Sequence, residues 1–130
     1  MSVCVVIQNL GVTATGSDVT PGAIAFNDVT SYRGHATTNT VTIGGTDTPV
    51  TLRATWTGGG SGYWVKNGVT QSGGVSPTNV SISTGDTLAF RVECGSAPAS
   101  ESGTVTITNV SDGGAAVDTF TYYVEDMGGL

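Results

Sequence analysis

Between Thr84 and Val124 the chain carries three segments of two-residue alternation, each set off by a turn, and this stretch decides the fold class. Gly85-Asp86 opens the first, where Leu88, Phe90, Val92 and Cys94 alternate with Thr87, Ala89, Arg91 and Glu93. Gly103 opens the second, with Val105 and Ile107 on one face and Thr104, Thr106 and Thr108 on the other. Ser111-Asp112-Gly113-Gly114 reverses the chain into the third, where Phe120, Tyr122 and Val124 alternate with Thr119, Thr121 and Tyr123. Side chains of a strand point to opposite faces with a period of two, so each segment has one buried and one wet face. The pattern predicts an antiparallel all-β protein.

The 130 residues suffice for one domain that buries roughly two thirds of its unfolded surface, so no disulfide is required for folding. Glycine and threonine make up about a third of the chain; threonine suits a pleated surface and glycine the tight corners between short strands. That bias excludes a helical protein, and the low charge and regular alternation exclude disorder. A net charge of −6 with four scattered basic residues (Arg33, Arg53, Lys66, Arg91) provides no cationic footprint for nucleic acid or for an anionic membrane surface. The acidity keeps the protein soluble or matches a basic patch on a protein partner.

Ser2 to Leu10 reads as a strand or extended arm, apolar on both faces through Val3, Val5 and Ile7 on one side and Cys4 and Val6 on the other. Such a segment needs covering on both sides, either as a central strand of the domain's own sheet or by strand addition to a neighbouring subunit. It lacks the basic start and long apolar core of an export signal, and no stretch approaches the roughly twenty apolar residues of a membrane-spanning helix. The chain is therefore expected to be mature as given or to work without secretion. Gly11 to Gly22 is a polar linker ending in the turn signal Pro21-Gly22. The division expected is an arm and linker over residues 1–22, a sandwich over 23–126 and a frayed tail over 127–130.

Within the sandwich, strands are predicted at Ala23–Val29, Thr40–Ile43, Val50–Thr57, Tyr63–Lys66 and Asn79–Ile82, with loops at Ser31–Asn39 and Cys94–Ser102. Asn67-Gly68 is the strongest hairpin signal, since both residues tolerate positive φ. Seven to eight short strands with a turn every eight to twelve residues is the pattern of an immunoglobulin-like sandwich, with up-and-down and jelly-roll folds as competitors. Trp56 is in phase with Leu52 and Ala54 and is expected in the core. Trp64 is out of phase with Tyr63 and Val65, so one of the two sets faces out. An exposed Trp64 near Arg53 and Lys66 would stack on a sugar ring or fill a partner's pocket.

Chemistry is nearly absent from the pattern. His35, the one histidine, falls in a polar loop with no nucleophile-bearing motif to serve. Cys4, His35 and Cys94 lack the spacing of a zinc site, and Cys4 and Cys94 read as two reduced thiols rather than a disulfide framework. Asp18, Asp28, Asp47, Asp86, Asp112 and Asp118 lie in or beside turns without the dense carboxylates of a calcium loop, and are expected to accept hydrogen bonds from the backbone just beyond them. Glu93 with Glu101, and Glu125 with Asp126, are the carboxylate pairs available for glycoside hydrolysis, but a loop and a tail offer neither pair desolvation. Gly58-Gly59-Gly60 is not followed by the lysine or helix of a phosphate-binding loop. Asn79-Val80-Ser81 and Asn109-Val110-Ser111 meet the glycosylation rule formally. No enzyme, cofactor or metal is expected.

The run Val41-Thr42-Ile43-Gly44-Gly45, then Pro49-Val50-Thr51-Leu52, Gly62-Tyr63-Trp64-Val65-Lys66-Asn67-Gly68 and Gly85-Asp86-Thr87-Leu88, resembles an Ig-like β-sandwich module of bacteriophage virion proteins and some secreted bacterial proteins. The likeness covers roughly Ala23 to Val124, the final hairpin being Gly103–Asn109 to Asp118–Thr121. It implies a virion structural protein: a capsid decoration (cement) protein on the outer surface of the head lattice, or a tail- or fibre-associated component. It further implies partnership with a major capsid protein or other virion protein and a homo-oligomer, with a trimer expected. The expected contacts are Val3, Val5, Ile7 and Trp64. The competing expectation is a glycan-binding module acting through Trp64, Tyr63 and Tyr32.

Overall fold

A computed structural model describes residues 18–128 of the chain. Val3, Val5 and Ile7, the expected arm, and Cys4 lie outside the described residues. The described chain folds into ten strands: β1 (Val29–Ser31), β2 (His35–Thr37), β3 (Val41–Thr42), β4 (Val50–Trp56), β5 (Ser61–Lys66), β6 (Val69–Thr70), β7 (Thr78–Ile82), β8 (Thr87–Glu93), β9 (Ala99–Asn109) and β10 (Ala115–Asp126). They form two sheets. The first has the order β1-β10-β9-β4-β7; in the second β2-β8-β5-β6 run side by side and β3 also pairs with β8. The pairs are antiparallel except β1 with β10, which run parallel through Val29↔Tyr122 to Ser31↔Val124.

The connectivity is immunoglobulin-like: β4, β9 and β10 stand as the C, F and G strands of one sheet, and β2/β3, β8 and β5 as the B, E and D strands of the other. β7 adds an edge strand beside β4. The alternating residues meet between the sheets. Val50, Leu52, Ala54, Val105, Ile107, Phe120, Tyr122 and Val124 of the first face Trp64, Leu88, Phe90 and Val92 of the second, and Ile24 and Phe26 join them. Phe90 is the hub, with Trp64, Trp56 and Phe120 around it at centroid distances of 5.1, 5.8 and 6.1 Å in edge-on geometry. Such arrangements suit the ring quadrupoles and add to the area buried.

Asn67 and Gly68 take φ values of 52° and 80°, the left-handed pair that joins β5 to β6 in a two-residue hairpin. The tip is tied down as well: Asn67 Nδ2 donates to Asp86 Oδ1 at 3.0 Å, and Thr87 N–H donates to Asn67 Oδ1 at 2.8 Å. The Gly-Asp-Thr turn and the Asn-Gly turn are thus one hydrogen-bonded unit.

Four expectations about local structure change. Residues 31–39 are not all loop, because His35–Thr37 pairs with Arg91–Glu93 of β8; only Ala36 packs toward the core there, too little apolar signal to reveal a strand. Ala23–Val29 alternates as predicted, with Ile24 and Phe26 buried, yet pairs as a strand only from Val29. Upstream, side chains replace the ladder: Asp118 Oδ2 accepts from Phe26 N–H at 2.8 Å, and Asn39 bonds both Asn27 N–H and the Ala25 carbonyl. Glu101 stands on β9, not in a loop, since β9 already begins at Ala99. Glu125 and Asp126 belong to β10 rather than to a tail, held by pairing with Ser100 and Ala99.

Candidate interaction surfaces

Trp64, expected to be an outward contact, is fully buried at 0% exposure, and this corrects its role. β5 pairs Trp64 with Phe90 and Tyr63 with Arg91, which turns Trp64 inward. Gly62 shares that inner face, and a Cβ there would come within 2.7 Å of the Phe90 ring. The indole Nε1 donates to the Thr78 carbonyl at 3.0 Å, tying β5 to β7 across the sheets. Trp64 therefore contributes cohesion rather than recognition.

Tyr63 occupies the outer face of the second sheet, half-buried, and a Cβ on Gly74 would lie 3.2 Å from its hydroxyl. Tyr32 lies in the β1–β2 turn and is 69% exposed. Its ring meets Tyr123 of β10 edge-on at a centroid distance of 6.1 Å. Tyr123 points away from the core, opposite in phase to Tyr122 and Val124, so the aromatic pair marks the outer side of the first sheet. The three aromatics expected to form a sugar platform are thus not brought together. Tyr123 was the member the sequence did not single out; the parallel β1–β10 pairing that sets it opposite Thr30 has no local signal in the chain.

The Tyr123 hydroxyl bonds the Glu125 carboxylate, and that bond, ahead of burial, raises its pKa above the usual phenol value. Tyr122 projects inward and places its hydroxyl 2.7 Å from the Thr57 carbonyl and 2.9 Å from that of Gly59. Burial, then the nearby Glu101 charge, pushes its pKa up. Gly59 N–H donates to Glu101 Oε1 at 3.1 Å, so the glycine-rich turn after β4 is fastened by a tyrosine and a glutamate.

The turn aspartates mostly accept backbone N–H groups, but of these Asp18, from Thr20, alone takes one just beyond itself as expected; Asp28 accepts from Thr121, Asp47 from Asp18, Asp86 from Ser83 and Asp118 from Phe26. For Asp86 the Asn67 amide, the Ser83 N–H and the Lys66 charge outweigh desolvation and hold its pKa below the usual carboxylate value. His35 stands exposed on β2 opposite Glu93, whose carboxylate pairs with Arg91 at 2.6 Å. Among the described residues no group of three or more His, Cys, Asp or Glu side chains is placed to hold a metal ion, and no helix is long and apolar enough to cross a membrane. Among the described residues Cys94 is a free thiol. Asn109 is 2% exposed, which takes its formal glycosylation signal out of reach.

The outer side of the first sheet is a threonine field. Thr55 pairs with Thr106, Thr106 with Thr119, and Thr104 with Thr121, all pointing away from the core. Two small hollows flank this sheet. One, of ≈ 150 Å³, lies between residues 20–24 and the β9–β10 hairpin; the other, of ≈ 220 Å³, lies between Thr46–Pro49 and Ser83-Thr84. Both are smaller than the roughly 300–1,000 Å³ of sites that enclose whole small molecules.

No family model matches the chain, and no curated protein does. Among solved structures, the N-terminal domain of PorA is similar at 17% identity and a TM-score of 0.40, covering 85% of this chain and 92% of that one. A family 123 glycoside hydrolase from Clostridium perfringens is similar at 13% identity and a TM-score of 0.39 over 79% of this chain. The chain spans 23% of that hydrolase. The ASH/PapD-like domain 7 of human CEP192 is similar at 12% identity and a TM-score of 0.27, with 98% and 95% of the two chains covered. Likeness at this level carries no statement about function.

Proposed function

We propose that this protein is a non-catalytic assembly module, and specifically a bacteriophage virion component that decorates and reinforces the outer surface of a capsid, acting there as a homo-oligomer. The observation that carries the reading is the use the fold makes of its functional groups. The turn aspartates Asp28, Asp86 and Asp118 accept backbone N–H bonds, the aromatic expected at a binding site fills the core, and the first sheet turns a threonine-covered face outward. Such a face gives weak contacts, which a lattice multiplies through avidity. The phage assignment comes from the sequence resemblance, as do the virion location, the expected trimer and a major capsid protein as partner. Val3, Val5 and Ile7 remain the proposed contact segment.

The direct test is mass spectrometry of gradient-purified particles with immunogold labelling, which should find the protein in stoichiometric amounts on the head. Its absence from particles would reject the reading; labelling of the tail would move it to the tail- or fibre-associated alternative. A glycan-binding reading has one observation in its favour, the exposed Tyr32 against Tyr123. Tyrosine fluorescence of a Tyr32→Ala variant, titrated with polysaccharide beside the parent protein, separates it from the assembly reading.

A further inference from the structure

Asn109 is buried at the end of β9, and its Nδ2 donates to the Val19 carbonyl at 2.8 Å. That bond sets the amide orientation, because a flipped amide would turn Oδ1 toward another acceptor. Oδ1 is therefore a buried acceptor, and among the described residues no donor reaches it. Folded proteins leave few such groups, since an unpaired buried acceptor is costly. Asn109 also forms part of the wall of the ≈ 150 Å³ hollow, with Gly22 and Ile24 on one side, Ala115 and Val117 on the other, and the exposed Asp112 beside them.

We propose that this hollow receives a primary ammonium group, the end of a lysine side chain presented by a protein partner. An ammonium has three donors and no acceptor, and the residues lining this hollow include Asn109, with its unpaired amide oxygen, and the acidic Asp112. The apolar side chains around them suit a lysine's methylene stem, which packs readily along such surface while its charge meets polar groups. The volume fits one side-chain end rather than a sugar or nucleotide. A neutral hydroxyl would satisfy Oδ1 but gain nothing from Asp112. The net charge of −6 draws cationic surfaces toward the protein over longer range. Less than 1 Å² of Oδ1 is accessible, so pairing requires the neighbouring wall to yield as the stem enters. The partner's being a virion protein rests on the assembly reading; the chemistry of the hollow rests on Asn109 and Asp112 alone.

The test is a nitrogen-15 NMR titration of the full chain with Nα-acetyl-lysine methylamide, beside the norleucine analogue that keeps the stem and lacks the ammonium. Saturable shifts are expected at the Asn109 side-chain amide, Gly22 and Val117 with the lysine probe only. Asp112→Asn should weaken binding roughly threefold, the scale of an exposed charge. Ala116→Leu, at an exposed position of the hollow, should abolish saturation with the melting temperature unchanged. Equal shifts with both probes, or no saturation with lysine, would overturn the proposal. The same variants are then tested for co-sedimentation with capsids. If Ala116→Leu binds them as the parent protein does, the hollow is not the partner contact while the assembly reading stands. If the parent binds no capsid yet titrates with the lysine probe, the assembly reading fails and the ammonium site stands.

Discussion

Replacing Trp64 tests the reassignment of that residue from surface contact to core. The indole is fully buried, packs edge-on against Phe90 at 5.1 Å, and donates to the Thr78 carbonyl at 3.0 Å. Trp64→Phe keeps a ring but leaves part of the site empty and removes the hydrogen bond. The bond contributes about 1 kcal/mol net, and the unfilled volume adds about 1–2 kcal/mol on the scale of partial core truncations. The expected loss is about 2–3 kcal/mol, a large share of the roughly 5–15 kcal/mol that holds a typical domain together. Trp64→Ala should cost about 3–5 kcal/mol. Urea unfolding followed by circular dichroism reads both; with a slope of about 1.5 kcal/mol per molar urea, the Phe variant's midpoint should fall by roughly 1.3–2 M. A Trp56→Phe background isolates the Trp64 emission, which should be blue-shifted and resist acrylamide quenching. A midpoint within about 0.3 M of the background protein, together with ready quenching, would refute burial and restore Trp64 to the surface.

Three further outcomes follow from the same geometry. Tyr122→Phe should cost about 1–2 kcal/mol and speed amide exchange at Gly58–Gly60, because its hydroxyl pins the Thr57 and Gly59 carbonyls. Since burial raises the folded-state pKa of Tyr122, its contribution is fully present below pH 10 and is lost as pH rises through the higher folded value; alkaline titration at 295 nm should show late phenolates from Tyr122 and Tyr123, and the Phe variant should lose one of the two. Asp86 has the opposite sign: its lowered pKa supplies stability present above its ordinary value of 3.8 and lost as pH falls through the folded value, so Asp86→Asn should flatten the acid limb of the stability profile. Gly58→Ala should destabilise by several kcal/mol in thermal melts, whereas Gly95→Ala should be nearly neutral, because at φ 77° a Cβ on Gly58 would collide with the Ser102 carbonyl and at Gly95 it would meet nothing.

Alternation alone placed the inner faces of β4, β8, β9 and β10, because a strand with apolar residues at every second position and polar ones between has one stable way to lie on a core. Asn67-Gly68 located its hairpin for a comparably local reason: only residues that tolerate positive φ make that turn. Tertiary structure decided the rest. β5 carries aromatics on both faces, so local sequence left Trp64 and Tyr63 equivalent. Pairing with β8 chose Trp64 as the inner one, because Gly62 in the same phase leaves room for the Phe90 ring. Residues 35–37 became a strand only because β8 offered an edge, and Tyr32 met Tyr123 only because β1 runs parallel to β10. The buried acceptor of Asn109 had no signature at all in the chain order. Its one amide partner, the Val19 carbonyl, and the wall at residues 20–24 come from about ninety positions earlier, and long-range packing rather than local propensity sets which polar atoms are left without a partner.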